Sequence, residues 1–193
     1  MRPSPVAVIA AFGLAVATRV SAQAATAALP FHAGQWGGQF AVGSDVQSIG
    51  LLRFHSPSAA FVFDLSAAVN QFSTDAGFGS DQKSTSENVS LRVGPRRYAP
   101  VASQVAHYLG AGLLANLAHA KSNIGGTSTS ARSLTAGAYA ELGGDYLVTP
   151  HLAIGVQGTA QATYGRTSNS SQAHLSSWSV GLGATRLVAT IFF

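Results

Sequence analysis

Six charged side chains and one His-x-Ser pair are the residues of this chain that could do chemistry. Asp64, Glu141 and Asp145 stand against Arg92, Arg96 and Arg186. Carboxylates perturbed by burial and neighbouring charge are the raw material of acid/base catalysis. They serve as well in a structural ion-pair network, and no second feature of the sequence favours catalysis. His174-Leu175-Ser176 sets an imidazole and a hydroxyl two residues apart. On a strand they share one face, where the imidazole could activate the hydroxyl. The rest of the last strand holds no Asp or Glu to orient His174, and in a chain this rich in Ser a chance pair is the better reading. The six histidines show no metal-ligand spacing, and no GxxxxGK[ST] phosphate loop exists. Neither a metal nor a cofactor is expected.

The segments that carry these residues alternate with period two, the signature of strands with two different faces. In Leu152 to Tyr164, Leu152, Ile154, Val156, Ala160, Ala162 and Tyr164 share one face while Gln157, Thr159, Gln161 and Thr163 share the other. The preceding segment sets Leu134, Ala136, Ala138, Ala140, Leu142, Tyr146 and Val148 against Thr135, Tyr139, Glu141 and Asp145. Phe61, Phe63, Leu65, Ala67 and Val69 alternate with Asp64 and Ser66; Val89, Leu91 and Val93 alternate with Ser90, Arg92 and Gly94; Trp36, Phe40 and Val42 alternate with Gln35, Gln39 and Gly43. Less regular strands at about 46–55, 104–119 and 174–193 bring the number to eight. The stretch Val101 to Ala120 could instead be an apolar helix, but Gln104, His107, Asn116 and His119 interrupt it and Gly110 and Gly112 weaken it.

Connections differ in length. Short turns are expected at Ser56-Pro57-Ser58, near Ala99-Pro100 and at Thr149-Pro150, and longer Ser/Thr/Gly/Asn-rich loops at about 71–86, 120–131 and 167–173. Only the first hairpin, near Ser44-Asp45, breaks the rule. Short turns on one side and longer loops on the other are expected of an outer-membrane barrel.

Composition bears on which face meets what. A chain of 193 residues with 47% hydrophobic and only 9% charged residues has room for one folded domain and too few charges for an ordinary soluble surface, which carries roughly 25%. Met1 to about Ala24 reads as a secretory signal, with Arg2 ahead of an apolar run and Val20-Ser21-Ala22 or Ala22-Gln23-Ala24 as cleavage sites. The expected domains are therefore a signal peptide at 1–24 and a barrel at 25–193. Without Arg2 and Arg19 the chain keeps 9 basic and 7 acidic side chains, too little net charge to attract nucleic acid. A soluble barrel would turn its apolar face inward, and alternation alone does not decide between the two. The scarcity of charge and the aromatics near opposite rims, Tyr146 against Tyr164 and Trp36 against Trp178, favour lipid outside.

On these residues the chain resembles the small eight-stranded outer-membrane β-barrels of Gram-negative bacteria, the OmpA/OmpX type. The likeness is architectural, spans roughly 25–193, and rests on signal peptide, strand number, loop alternation and the terminal aromatic. It implies an all-β, up-and-down antiparallel transmembrane barrel, and a role for Phe193 as the signal read by the barrel-assembly machinery. The His174-x-Ser176 pair is similar to that of the outer-membrane lipid A deacylases, but Ser177 stands where that family has Asn.

An eight-stranded barrel is just wide enough for side chains to fill it. The inward parity of Asp64, Arg92, Arg96, Glu141, Asp145 and Arg186 therefore predicts a paired network, with Asp64 beside Arg92 and Glu141 across the lumen from Arg186. In the last strand Leu187, Ala189, Ile191 and Phe193 make one face, whereas Trp178, Val180 and Leu182 fall on the opposite parity; a bulge near Gly181 or Gly183 would re-aim them. The expected function is a non-enzymatic, monomeric outer-membrane protein that makes surface contacts through extracellular loops. Its expected partners are outer-membrane lipid, the assembly machinery and an extracellular partner whose identity the residues do not specify. The alternatives are a small channel for ions or apolar solutes and, from another class, a lipid A-modifying enzyme.

Overall fold

The computed structural model describes residues 29–43, 47–74, 82–124, 127–169, 174–183 and 185–193, with the backbone alone at Ile124 and His174. The expected signal peptide, the first hairpin turn and the tips of the three expected loops lie outside these residues. The strands are β1 Trp36–Gly43, β2 Gln47–Ser56, β3 Ala59–Thr74, β4 Gln82–Ala102, β5 Val105–Ile124, β6 Thr127–Thr149, β7 Leu152–Asn169, β8 His174–Leu182 and β9 Arg186–Phe192. Neighbours pair antiparallel, β1 closes on β9, and β7 pairs with β9 over its first part and β8 over its second. β8 and β9 are thus two halves of one eighth stave, and the sheet closes into an eight-staved, up-and-down barrel.

The closed sheet answers the question that alternation left open. Gln39, Asp64, Arg92, Arg96, Glu141, Asp145 and Gln157 are buried inside, whereas Phe40, Ile49, Leu65, Leu113, Leu142 and Ile154 are exposed on the outer wall. Arg96 at 1% exposure and Leu142 at 60% invert the arrangement of a soluble barrel. Ten residues of β6 separate Tyr146 from Ala136, the partner of Tyr164, which matches the ~9–11 that a tilted strand needs to cross the hydrocarbon. Tyr164 packs against Trp178 with tilted rings whose centroids are 5.0 Å apart, while Trp36 and Phe193 lie at the lower, short-turn end, exchanging backbone hydrogen bonds of 3.0 and 2.9 Å.

Two expectations about connections are corrected, and the bulge expected near Gly181 or Gly183 is found. β3 to β8 continue through most of the stretches expected as loops: β3 reaches Thr74, β4 starts at Gln82, β5 and β6 approach to Ile124 and Thr127, and β7 and β8 to Asn169 and His174. Above the apolar band both faces meet water, so alternation fades while the backbone ladder persists, and Ser and Thr suit a strand well enough. The turn expected near Ala99-Pro100 lies at Ser103-Gln104, since β4 runs to Ala102. The parity change in the last stave lies between Leu182 and Arg186: Ala160 faces Leu182 but Gln157 faces Arg186, one residue more on the β8–β9 side. That extra residue is a β-bulge. It lets Trp178, Val180 and Leu182 face outward above, and Leu187 and Ile191 below.

The two ends of the barrel differ in closure. β1 stops at Gly43 and β2 begins at Gln47, whose partner is Ala67. Above that level β3 pairs with β4 alone and β8 with β7 alone. Among the described residues the upper wall is therefore a curl of six staves whose outer edges, on β3 and β8, meet no further strand.

Candidate functional site

The lumen holds the buried polar groups in layers. At the bottom, the segment before β1 folds into the barrel mouth. Gly34, with φ of 87°, takes the left-handed backbone that suits glycine and donates its N–H to the Phe54 carbonyl at 2.8 Å. This turn tucks Phe31 among Phe54, Phe192 and Tyr98, with ring centroids 4.6, 4.9 and 5.2 Å away. Leu52, Val62, Ala106, Leu147 and Ala153 complete a dry cluster. The two phenylalanines that end the sequence part company: Phe192 is buried in this seal and Phe193 is exposed on the outer wall.

Directly above lies Arg96. Its Nε donates to Glu141 Oε1 at 2.6 Å, and its Nη1 donates to Gln39 Oε1 at 2.8 Å and to the Tyr98 hydroxyl at 3.2 Å. Its guanidinium carbon lies 4.2 Å from the Tyr108 ring centroid. Glu141 Oε2 accepts from Gln157 Nε2. Arg96 and Glu141 are on β4 and β6, one strand apart, and the residue between them in the row is Gly110. A β-carbon there would lie 2.7 Å from Glu141 Cγ, so the missing side chain is what lets the pair meet across β5. The expected pairing of Glu141 with Arg186 is corrected accordingly.

A second cluster sits higher in the lumen. Asp64 and Arg92 are cross-strand partners; Arg92 Nε and Nη2 both donate to Asp64 Oδ1, at 3.2 and 2.9 Å. Ser48 donates to Asp64 Oδ2 at 2.9 Å. Arg186 Nη1 approaches the same carboxylate at 3.7 Å and donates to Ser48 Oγ at 3.4 Å. One carboxylate thus serves two guanidinium groups. Arg92 also lies over Tyr139, 5.4 Å from its centroid.

Asp145 departs from the expected network. Both its oxygens are buried and meet no hydrogen-bond partner among the described residues. Among the described residues the Tyr108 hydroxyl and Arg96 Nη2 also meet no hydrogen-bond partner. Three carboxylates and three guanidinium groups therefore occupy the lumen, in two hydrogen-bonded clusters plus one isolated acid. Neutral donors and acceptors, Gln39, Ser48, Tyr98 and Gln157, complete the clusters. Inward parity alone could have marked Gln39 and Gln157. Phe31 precedes the first strand and carries no periodic signal.

Among the described residues no group of three or more His, Cys, Asp or Glu is placed to hold a metal. Ser176 lies on β8 beside Arg166; the His174 side chain lies outside the described residues. The lumen as arranged binds all its charges but Asp145 to one another above a packed aromatic seal, and among the described residues it aligns no nucleophile with a base.

The same architecture occurs in solved structures. A major outer-membrane protein from Thermus thermophilus matches with a TM-score of 0.61 and 13% identity, over 84% of this chain and 100% of that one. The outer-membrane protein OprG from Pseudomonas aeruginosa matches with a TM-score of 0.57 and 12% identity, over 86% of this chain and 99% of that one. No protein-family profile matches the chain. No curated protein matches it in sequence. The chain has the fold of the small outer-membrane β-barrels.

Proposed function

We propose that the chain is a non-enzymatic, integral outer-membrane barrel whose upper rim makes contacts outside the cell. One observation carries this reading: a lumen occupied by side chains, most of its charges paired, over an aromatic seal, under a six-staved wall that continues above the apolar band. A filled lumen leaves the rim as the surface available for work. Its polar residues, such as Ser84, Thr129 and Ser133, are free to vary without disturbing the closed half.

Replacing the upper parts of the β3–β4, β5–β6 and β7–β8 hairpins by short turns tests the proposal. Membrane insertion and heat-modifiable gel migration should survive, and any adhesion or partner binding should disappear. Full biological activity in such a rimless barrel would move the function into the lumen. Planar-bilayer recording addresses the channel alternative, because a sealed lumen should give no steady conductance. Unaltered lipid A by mass spectrometry is expected under this reading, and modified lipid A would favour the enzyme.

Phe193 enters the proposal as the contact read by the assembly machinery. It faces outward at the seam and exchanges two backbone hydrogen bonds with Trp36. Deleting it should lower the amount of inserted barrel far more than the amount synthesised; equal surface levels would remove it from that role.

A further inference from the structure

The outer wall carries a second set of cations, arranged unlike those of the lumen. Across β4, β5 and β6, the register aligns Glu87, His119 and Arg132 in one outward row. The next outward row down is Val89, Leu117, Leu134 and Arg166, and the one below it ends in Tyr164 and Trp178. Within four residues of strand, about 13 Å, the wall passes from an aromatic belt through aliphatic side chains to arginines. A groove of about 520 Å³ opens there, lined by the aliphatic Val89, Leu117 and Leu134 together with Glu87, Arg132 and Arg166. His119, on its wall, holds a covered Nδ1 with no partner among the described residues. Lys121 stands one row higher on β5.

Partnering separates this set from the lumen set. All three ion pairs among the described residues are in the lumen, and Arg132 and Arg166 belong to none of them. Arg166 stands one outward row above Tyr164 and Trp178, next to the aromatic belt. Position separates it from ordinary solvated charge as well. The corresponding outward residues of β3, Val69, Gln71 and Ser73, carry no charge, so the cations are gathered on one side of the barrel.

We propose that the outer wall of β4–β7 holds one lipid of the surrounding leaflet by its phosphorylated headgroup. This rests on the reading of the chain as an outer-membrane barrel with the rim outward. Two planar, always-charged guanidinium groups suit the tetrahedral oxygens of a phosphate, which they can grip in pairs. The aliphatic lining suits acyl chains, and a soluble anion would leave it uncovered. The one acid among the described residues of these rows, Glu87, sits beside His119, where the hydroxyl groups of a sugar headgroup can satisfy it.

The test uses full-length protein in mild detergent, incubated with diphosphorylated lipid A, with its dephosphorylated form, or with inorganic phosphate. Lipid retained after detergent exchange is measured by mass spectrometry. The phosphorylated form should be retained at least about tenfold better than the dephosphorylated one, as expected for the loss of charge-assisted hydrogen bonds. Joint Arg132→Gln and Arg166→Gln replacement should remove that preference, whereas Arg53→Gln, over Trp36 at the lower rim, should keep it. Equal retention of both lipid forms by the unmutated chain overturns the proposal without any variant. So does an unchanged preference in the double variant. Displacement of the lipid by equimolar inorganic phosphate would assign the cations to a soluble anion instead. Heat-modifiable migration, recorded on the same samples, keeps the two readings apart: if the unmutated chain lacks it the barrel reading fails, and if it persists without lipid preference this proposal alone fails.

Discussion

Below Gly43 and Arg186, eight staves surround a lumen packed with aromatic rings and mostly paired charges; above that level six staves continue, and among the described residues the outer edges of β3 and β8 have no strand partner. The same strands are held by different forces in the two halves. In the lower half, the ladder is closed and inward side chains pack in an aromatic cluster and two charge clusters, so removing one group leaves a charge or a cavity with nowhere to go. In the upper half, backbone ladders do the holding and side chains face water or headgroups, so a substitution finds solvent. The difference teaches that stability and surface contact have been placed in separate parts of one sheet.

The comparison can be broken at Asp64. Asp64→Ala should be the most damaging single change, because it leaves both Arg92 and Arg186 without their carboxylate; about 3–5 kcal/mol is expected for a broken buried pair. Urea titration of the folded barrel in lipid would measure it. A double-mutant cycle with Arg92→Ala should show that the two changes together cost less than their sum. Additive effects would mean that the pair is not coupled and that the lower half is not held by its charges.

Arg96→Ala comes next. Glu141 would keep Gln157 as a donor and lose its cation, so a penalty toward the lower end of the same range, roughly 3 kcal/mol, is expected. Gly110→Ala should act on the same pair from the opposite side, crowding Glu141 rather than depriving it, at about 1–3 kcal/mol. A Gly110→Ala barrel as stable as the parent would show that Arg96 and Glu141 can meet without the gap in β5.

Phe31→Ala should have a smaller effect on unfolding, roughly 1–3 kcal/mol, since Phe31 belongs to a segment outside the ladder. Its clearer readout is electrical: a barrel that lacks the ring at the centre of the seal should show transient openings in a planar bilayer where the parent shows none. The smallest effect is expected at the rim, where Thr129→Ala or Ser84→Ala should change stability by no more than about 0.5 kcal/mol. A rim substitution as costly as Arg96→Ala would erase the distinction between the halves.

Much of the fold was legible in the sequence because barrels write their two faces as strict alternation. Leu152 to Tyr164 reads directly as a lipid-facing row over a polar row. The parity of Asp64 and Arg92 on adjacent strands is enough to bring them together. Pairing across more than one strand was not legible. Glu141 and Arg186 stand at similar heights when counted from the short turns, yet Glu141 meets Arg96, because the row that runs through Gly110 has no side chain in between. A glycine is silent in a hydrophobicity pattern and decisive in the lumen. The upper strands were misread as loops for a related reason: residues such as Ser122, Thr129 and Ser130 are polar on both faces, so the period disappears while the backbone hydrogen bonds continue. Phe31 was invisible because a seal contributed by a non-strand segment has no period to betray it.

The bulge between Leu182 and Arg186 has a consequence for how such a chain can change over generations. A stave with an unbroken in/out frame ties every residue above to every residue below, so a one-residue insertion anywhere near its middle would turn half of it inside out. Here the frame is already reset once, at a stretch where the closed and open halves meet. Lengthening or shortening the last stave above Leu182 leaves Leu187 and Ile191 facing lipid and Val188 and Phe192 facing the lumen. The rim can therefore acquire new lengths and new residues by inheritance while the seam that closes the barrel keeps its own reading frame.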